Sequence, residues 1–242
     1  AGPDYRRIEV NGSTAVLGGD ISNAGSDPVG ILKRGAGTLV MAGNNTYDGL
    51  TEVAAGTLAV NGTHFGGDNY NVSGGATLGG TGTIGSAVLI ASNAVMSPGN
   101  SIGTFTTTNN FTFSTGGVLQ IELDHVLAAG DMLVVSGALD IAGAILSLTN
   151  LGTGGDLSLL DDTYIIAQYG SLIGDTFFNH ADVLGLLPTG YGIEYNYLGG
   201  NQIALVIPEP GAIAALLLGG VVIGVLARRR RATMSATGEA RR

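Results

Sequence analysis

The stretch Gly37-Thr-Leu-Val-Met-Ala-Gly-Asn-Asn-Thr-Tyr47 is followed by a second unit with the same beginning, Gly56-Thr-Leu-Ala-Val-Asn-Gly62. The tripeptide Gly-Thr-Leu therefore recurs after 19 residues, and a related Ala-Thr-Leu at 76–78 follows after a further 20. This period is too short for a repeated pair of helices. It is typical of a β-solenoid in which each coil contains two or three short strands.

Apolar residues alternate within each unit, as in Leu39 and Met41 of the first and Leu58 and Val60 of the second. Alternation of this kind places one row of side chains on the inner face of a strand. One coil cannot cover that row, but stacked coils bury each other's rows. We therefore predict an all-β body over 1–207, with its repeats clearest at 29–105.

The composition restricts the class of protein. Glycine accounts for 42 of 242 residues without the every-third-residue spacing of collagen, and cysteine is absent, which excludes disulfides and thiolate metal sites. Up to Ile207 there are 4 basic and 17 acidic residues, a net charge of −13. Such an acidic body argues against binding nucleic acid, which needs lysine and arginine. It fits a soluble exported protein.

Alternating apolar runs continue beyond residue 105 and predict further strands rather than helices. Helical periodicity is nearly absent before residue 208, so a helix-rich enzyme is not expected. The predicted later strands are 111–113, 118–124, 132–135, 139–141, 145–148, 164–169, 192–197 and 202–207.

The C-terminal segment carries a different signal. An uncharged apolar run of 17 residues, 211–227, precedes Arg228, Arg229, Arg230 and Arg231. As a helix it would be about 25 Å long, which is short but sufficient for a membrane span. A buried core helix is the alternative, but the arginines favour a span that keeps them cytoplasmic. We predict a sorting and anchor segment at 208–231 and a cytoplasmic tail at 232–242. An export signal is expected upstream of Ala1.

Residues capable of catalysis or metal binding are sparse. His64, His125 and His180 are scattered, which predicts solvent or turn histidines, no metal site and no cofactor. Clustered carboxylates at Glu122, Asp124 and Asp131, and at Asp161 and Asp162, leave open a β-helix enzyme that cleaves polysaccharide. No basic residue occurs between 35 and 227, which argues against a lyase.

The order Pro208-Glu209-Pro210, apolar helix, arginine cluster resembles the PEP-CTERM sorting domain. The resemblance implies that Pro208, Glu209 and Pro210 are read by an exosortase, a membrane transpeptidase-like enzyme. It also implies that the four arginines act as the membrane stop. Members of that family occur in Gram-negative bacteria that make extracellular polysaccharide, and many are secreted matrix or surface proteins.

Residues 31–62 resemble the autotransporter-associated β-strand repeat, and the similarity fades towards residue 105. Those repeats form right-handed parallel β-helices in bacterial surface passengers. The two resemblances together imply a right-handed parallel β-helix followed by a single C-terminal transmembrane helix. They imply a non-enzymatic surface or matrix protein, structural or adhesive, with an exosortase, the membrane and exopolysaccharide as partners. A polysaccharide hydrolase or lyase is the alternative.

Overall fold

A computed structural model describes residues 4–25, 27–153 and 155–207. The described chain winds through successive coils, most of which contribute three short strands. In chain order the strands are β1 Asp4–Glu9, β2 Thr14–Leu17, β3 Val29–Arg34, β4 Thr38–Met41, β5 Asn44–Asn45, β6 Thr51–Val53, β7 Thr57–Val60, β8 Thr63–His64, β9 Tyr70–Val72, β10 Thr77–Gly80, β11 Thr83–Ile84, β12 Val88–Ile90, β13 Val95–Pro98, β14 Thr104–Thr107, β15 Phe111–Phe113, β16 Val118–Asp124, β17 Ala129–Gly130, β18 Met132–Asp140, β19 Ile145–Asn150, β20 Tyr164–Ile173, β21 Gly192–Glu194 and β22 Gln202–Val206. One α-helix, α1 His180–Leu186, and three 3₁₀ turns, Leu151–Thr153, Leu157–Leu159 and Tyr197–Gly199, lie in the same ranges.

The strands stack into three parallel ladders, which we call the first, second and third faces. The first face is β1-β3-β6-β9-β12-β15, and the second is β2-β4-β7-β10-β13-β16-β19. The third face is β5-β8-β11-β14. The long strand β18 joins two faces, because its first half pairs with β14 and its second half with β15. This arrangement is a parallel β-helix, so the predicted all-β solenoid fold is confirmed.

The coils stay in register although their lengths differ, from 18 residues between Leu78 and Met96 to 27 between Leu119 and Leu146. On the second face, equivalent positions pair directly from coil to coil and form one continuous inner row. Every member of this row is buried, and each buried side chain contributes about 1.5–3 kcal/mol relative to exposure. The row consists of Leu39, Leu58, Leu78, Met96, Leu119 and Leu146.

Glycine at the corner between the second and third faces allows the coils to approach closely. A Cβ on Gly62 would overlap the backbone carbonyl of Gly43 in the coil before it. Gly82 stands in the same relation to Gly62 one coil later. The recurrence of glycine in the repeat therefore has a steric cause as well as a conformational one.

Asn45 and Lys33 are among the buried polar side chains, and each satisfies backbone groups between coils. Asn45 is buried, accepts a hydrogen bond from the Ile21 amide at 3.1 Å, and donates to the carbonyls of Gly43 and Thr63. Lys33 is also buried and donates from Nζ to the carbonyls of Arg34, Gly35 and Ala55 at 2.8–3.1 Å. The sequence reading did not predict these inward polar positions.

The C-terminal end of the helix is closed by antiparallel pairing. Strand β22 runs antiparallel to β20, and β21 continues the sheet beyond β22. On the second face, the Phe178 amide donates to the Ala144 carbonyl, and the Asn179 side chain bonds both backbone groups of Leu146. The last strands of the ladders are thereby partly covered at this end, which limits edge-to-edge aggregation there.

The parallel pairing extends further along the chain than the visible repeat, because it runs through β20 up to Ile173. Loops at 125–128, 151–153 and 155–163 interrupt the period, so the period is not visible in this part of the sequence. The segments predicted at 132–135 and 139–141 form the single strand β18, with a register shift between Val135 and Ala138.

None of the helices in the described residues combines the length and apolar character that a membrane span requires. The predicted transmembrane helix at 211–227 lies outside the described residues. So do the sorting motif Pro208, Glu209 and Pro210 and the four arginines from Arg228 to Arg231. These remain predictions.

Candidate functional site on the second face

The carboxylates considered as a catalytic pair do not face each other across a groove. Asp131 is fully buried and accepts hydrogen bonds from the amides of Gly103 at 2.8 Å and Glu122 at 2.9 Å. Burial away from water raises the pKa of Asp131 to about 7. The Glu122 side chain lies on the outward side of β16, between the buried residues Ile121 and Leu123. Asp131 is therefore a structural acceptor that joins two backbone segments.

Asp124 and Asp162 each accept hydrogen bonds within a local turn. Asp124 accepts from the amides of Val126 and Leu127, just after β16. Asp162 accepts from the Thr163 amide at the start of β20. Hydrogen bonds of this kind are typical of aspartate at chain reversals. They give these residues a role in the turns.

His64 lies in the core, so its prediction as a solvent or turn residue is wrong. Its Nε2 lies 2.9 Å from the Tyr47 carbonyl and its Nδ1 lies 2.7 Å from the Tyr70 hydroxyl. The carbonyl only accepts, so Nε2 carries the proton and Nδ1 accepts from Tyr70. The Tyr47 hydroxyl contacts Thr51 Oγ1 at 2.6 Å, which completes a buried polar cluster.

The three histidines do not form a common site, because each one has different hydrogen-bond partners. His125 Nδ1 contacts Asn150 Oδ1 at 3.3 Å, and His180 Nδ1 contacts the Tyr195 hydroxyl at 2.8 Å. Within the described residues, no group of three histidine, cysteine, aspartate or glutamate side chains is arranged to hold a metal ion.

A groove of about 300 Å³ lies on the outside of the second face. We call it the outer groove. Its floor and walls come from five successive coils and contain only hydroxyl, amide, alanine and glycine residues. The lining residues are Thr38, Thr57, Ala59, Thr77, Gly79, Gly80, Ser97, Gly99, Asn100 and Gln120.

The floor of the outer groove results from small residues in one outward row. Val40 pairs with Ala59, Ala59 with Gly79, and Gly79 with Ser97. Gln120 continues this row, because the preceding Leu119 pairs with Met96. The residues of this row become smaller from Val40 to Gly79 and larger again towards Gln120. The surface is therefore concave in the middle.

One wall is a threonine ladder, in which Thr38, Thr57 and Thr77 pair in register. The opposite rim is built by Gly80 and Gly99, which exchange backbone hydrogen bonds at 3.1 and 2.8 Å. Both glycines have positive φ, 107° and 89°, a conformation that favours glycine. Asn100 stands on this rim and donates to Asn61 Oδ1 at 3.0 Å.

The polar side chains of the outer groove are available to a ligand. Within the described part of the chain, Thr57, Thr77, Ser97 and Gln120 make no side-chain hydrogen bond. Each hydroxyl can donate and accept, and the Gln120 amide can do both. The outer groove therefore offers a row of neutral hydrogen-bonding groups. Sequence reading missed it, although the recurring threonines are its visible signal.

The repeat itself matches a known family model. Residues 31–60 match the passenger-associated-transport-repeat. The matched segment begins within β3 and ends with β7, which places it on two successive coils. The predicted autotransporter-type β-strand repeats are thereby confirmed.

Longer stretches are similar to parts of large bacterial proteins. An extracellular serine protease of Serratia marcescens is 39% identical over 104 residues, which cover 43% of this chain and 9% of the protease. The adhesin BmaC autotransporter of Brucella suis biovar 1 (strain 1330) is 33% identical over 135 residues, covering 50% of this chain and 4% of the adhesin. A second extracellular serine protease of Serratia marcescens is 35% identical over 94 residues. The aligned segments span less than a tenth of these relatives.

The prediction that the protein is not an enzyme is contradicted by the two relatives named as proteases. The prediction was wrong because it rested on resemblances to repeat and sorting segments, which carry no information about a catalytic domain. The same repeats occur in proteins named for an enzyme activity and in one named an adhesin. A β-helix scaffold therefore does not distinguish between the two classes.

Proposed function

We propose that this chain is an exported β-helical passenger segment of a Gram-negative bacterium, displayed at the cell surface or in the extracellular matrix. The observation that carries the proposal is the passenger-associated-transport-repeat at 31–60. The names of the relatives, an extracellular protease and an adhesin, support an extracellular location. The acidic body, with no basic residue between 35 and 227, is compatible with a soluble exported domain.

Its proposed role is adhesive or structural and includes association with exopolysaccharide. A β-helix is a stiff rod whose faces repeat, so one kind of contact can be made several times along its length. Repeated weak contacts give a combined affinity well above that of each one. This property suits attachment to a polymer whose units also repeat.

Surface display is tested by treating intact cells of the native bacterium with a protease. We expect the protease to digest the β-helix on intact cells while a periplasmic marker protein stays protected. Antibodies against the β-helix should likewise label intact cells. Labelling that appears only after permeabilisation would overturn the proposal.

We further propose that the C-terminal segment sorts the protein. In this proposal an exosortase reads Pro208, Glu209 and Pro210, and Arg228 to Arg231 hold the apolar run in the inner membrane until processing. The support is the order of motif, 17-residue apolar run and arginine cluster in the sequence.

Replacing Pro208, Glu209 and Pro210 together with alanine should leave an uncleaved form in the membrane fraction. Glu239→Ala serves as a matched control, because it removes an acidic residue beyond the arginine cluster and should leave processing unchanged. Identical fractionation of the triple variant and the wild type would contradict the sorting proposal.

A further inference from the structure

We propose that the outer groove binds an uncharged polysaccharide chain that lies along the axis of the β-helix. This inference rests on the proposed association with exopolysaccharide and assigns it a site and a chemical class of ligand. The groove is a cavity of about 300 Å³ whose lining contains no ionisable side chain.

The charge of the surroundings selects against acidic ligands. The body carries a net charge of −13, so an acidic polymer approaching it is repelled. The lining offers no lysine or arginine to pair with a carboxylate or sulfate. A ligand rich in hydroxyl groups but free of charge avoids both problems.

The free hydrogen-bonding groups match such a ligand. The hydroxyls of Thr57, Thr77 and Ser97 and the amide of Gln120 have no side-chain hydrogen bond within the described residues. These groups donate and accept, as sugar hydroxyls do. Ala59 and Gly79 on the floor leave room for a ring to settle between the threonine wall and the Asn100 rim.

The architecture disfavours an extended peptide as the ligand. A peptide usually gains affinity by adding a strand to an exposed sheet edge. The strands beneath the groove, β7, β10 and β13, are each paired on both sides and present no edge. The groove also lacks the apolar pockets that hold peptide side chains.

The direction of the groove suits a polymer. Its lining residues come from successive coils of one ladder, which are spaced about 4.8 Å apart along the axis. Five coils therefore give the groove a length on the order of 20 Å. A linear chain can contact an equivalent threonine at Thr38, Thr57 and Thr77, one in each coil.

The test uses the full chain in mild detergent and exopolysaccharide from the native bacterium, separated into neutral and acidic fractions by anion exchange. Ala59→Phe fills the groove from an outward position. Val16→Phe is the matched control, because Val16 lies in the same outward row two coils earlier and is exposed. Gln120→Ala is a second variant that removes an amide without adding bulk.

We expect binding to the neutral fraction that is insensitive to salt. Ala59→Phe should weaken it by at least about tenfold, and Gln120→Ala by about three- to tenfold, as expected for one lost hydrogen bond. Val16→Phe should bind like the wild type. Thermal unfolding of each variant shows whether the fold is kept, and if Ala59→Phe does not fold, Gln120→Ala decides the question.

Several results would overturn the inference. Neutral binding that neither Ala59→Phe nor Gln120→Ala weakens would remove the groove as the site while leaving polysaccharide association in place. Binding to the acidic fraction alone would reject the class of ligand, and displacement by a Gly-Ser peptide would point to a peptide instead. Binding to neither fraction would overturn both the site and the association with exopolysaccharide. Surface display is decided separately by the protease experiment on intact cells.

Discussion

The imidazole ring of His64 stacks on the phenol ring of Tyr47, with the two centroids 3.9 Å apart and the planes 20° from parallel. The two residues belong to neighbouring coils, and the Tyr47 carbonyl also accepts a hydrogen bond from Nε2 of the same ring. Burial lowers the pKa of His64, because the charged form would lose its hydration. The neutral ring is therefore part of the packing between coils.

This relationship predicts a loss of stability in acid. The unfolded chain takes up a proton on His64 near pH 6.5, whereas the folded chain resists it until a lower pH. The free energy of unfolding should thus decrease as the pH falls below about 6.5. In urea unfolding, the stability gap between wild type and His64→Gln should be narrower at pH 5 than at pH 7.5. The control Tyr47→Phe retains His64, so its free energy of unfolding should still decrease in acid. An equal stability difference between wild type and His64→Gln at pH 5 and pH 7.5 would contradict the prediction.

Asp131 should act in the opposite direction. Burial raises its pKa to about 7, so the folded chain holds a proton that the unfolded chain has already released. Its contribution to stability is complete below about pH 4 and is lost as the pH rises to about 7.

The pH dependence of Asp131→Asn should therefore be flatter than that of the wild type between pH 4.5 and 7.5. The urea midpoint of both proteins, measured across this range, checks the prediction. Asp140→Asn is a control, because its carboxylate is half-exposed and accepts from the Ala142 amide in a surface turn. Parallel profiles for wild type and Asp131→Asn would show that the buried carboxyl does not titrate in this range.

Lys33→Met should destabilise the fold even though it adds an apolar group to the core. The Nζ of Lys33 donates to three partly buried backbone carbonyls, including that of Ala55 in the next coil. An unpaired acceptor that is fully buried costs about 1–3 kcal/mol, and one that water can partly reach costs less. We expect a loss of about 2–4 kcal/mol in the free energy of unfolding. Arg34→Met, at the exposed next residue, should change it by less than about 0.5 kcal/mol. Equal stability of the two variants would refute the role of Lys33.

Gly62→Ala should lower the melting temperature more than the same substitution elsewhere. The added methyl group would overlap the Gly43 carbonyl, which is backbone and cannot move without shifting a coil. A loss of more than about 2 kcal/mol is expected. Gly18→Ala is the matched control, because a Cβ there has no neighbour within 4 Å among the described residues. Calorimetry on both variants measures the difference, and similar melting temperatures would be inconsistent with close coil contact.

The inner apolar rows could be predicted from sequence because they depend on local alternation and on a period that is visible by eye. Leu39 and Leu58 occupy the same place in their units, and the structure pairs them directly. The bend that follows β13 could be predicted in part, because Gly99 readily adopts the positive φ found there. Its role as a rim could not, since that depends on the contact between Gly99 and Gly80.

The inward positions of Lys33 and His64 could not be predicted, because a buried lysine is rare and a histidine occurs in both buried and exposed positions. Their burial depends on acceptors in other segments. For Lys33 the decisive carbonyl is that of Ala55, 22 residues away. The outer groove could not be predicted for a related reason. Ala59 and Gly79 are ordinary small residues until the register places them side by side on one surface.

The equivalence of Thr38, Thr57 and Thr77 has a consequence for how such a protein can evolve. Deleting residues 38–56 would join Gly37 to Thr57, and Thr57 would then follow a glycine as it does now. Duplicating the same segment would add one coil whose strands can pair with the equivalent strands of the coils on either side. Unequal recombination between repeats can therefore change the reach of the rod in steps of about 4.8 Å, without requiring any new core to be designed.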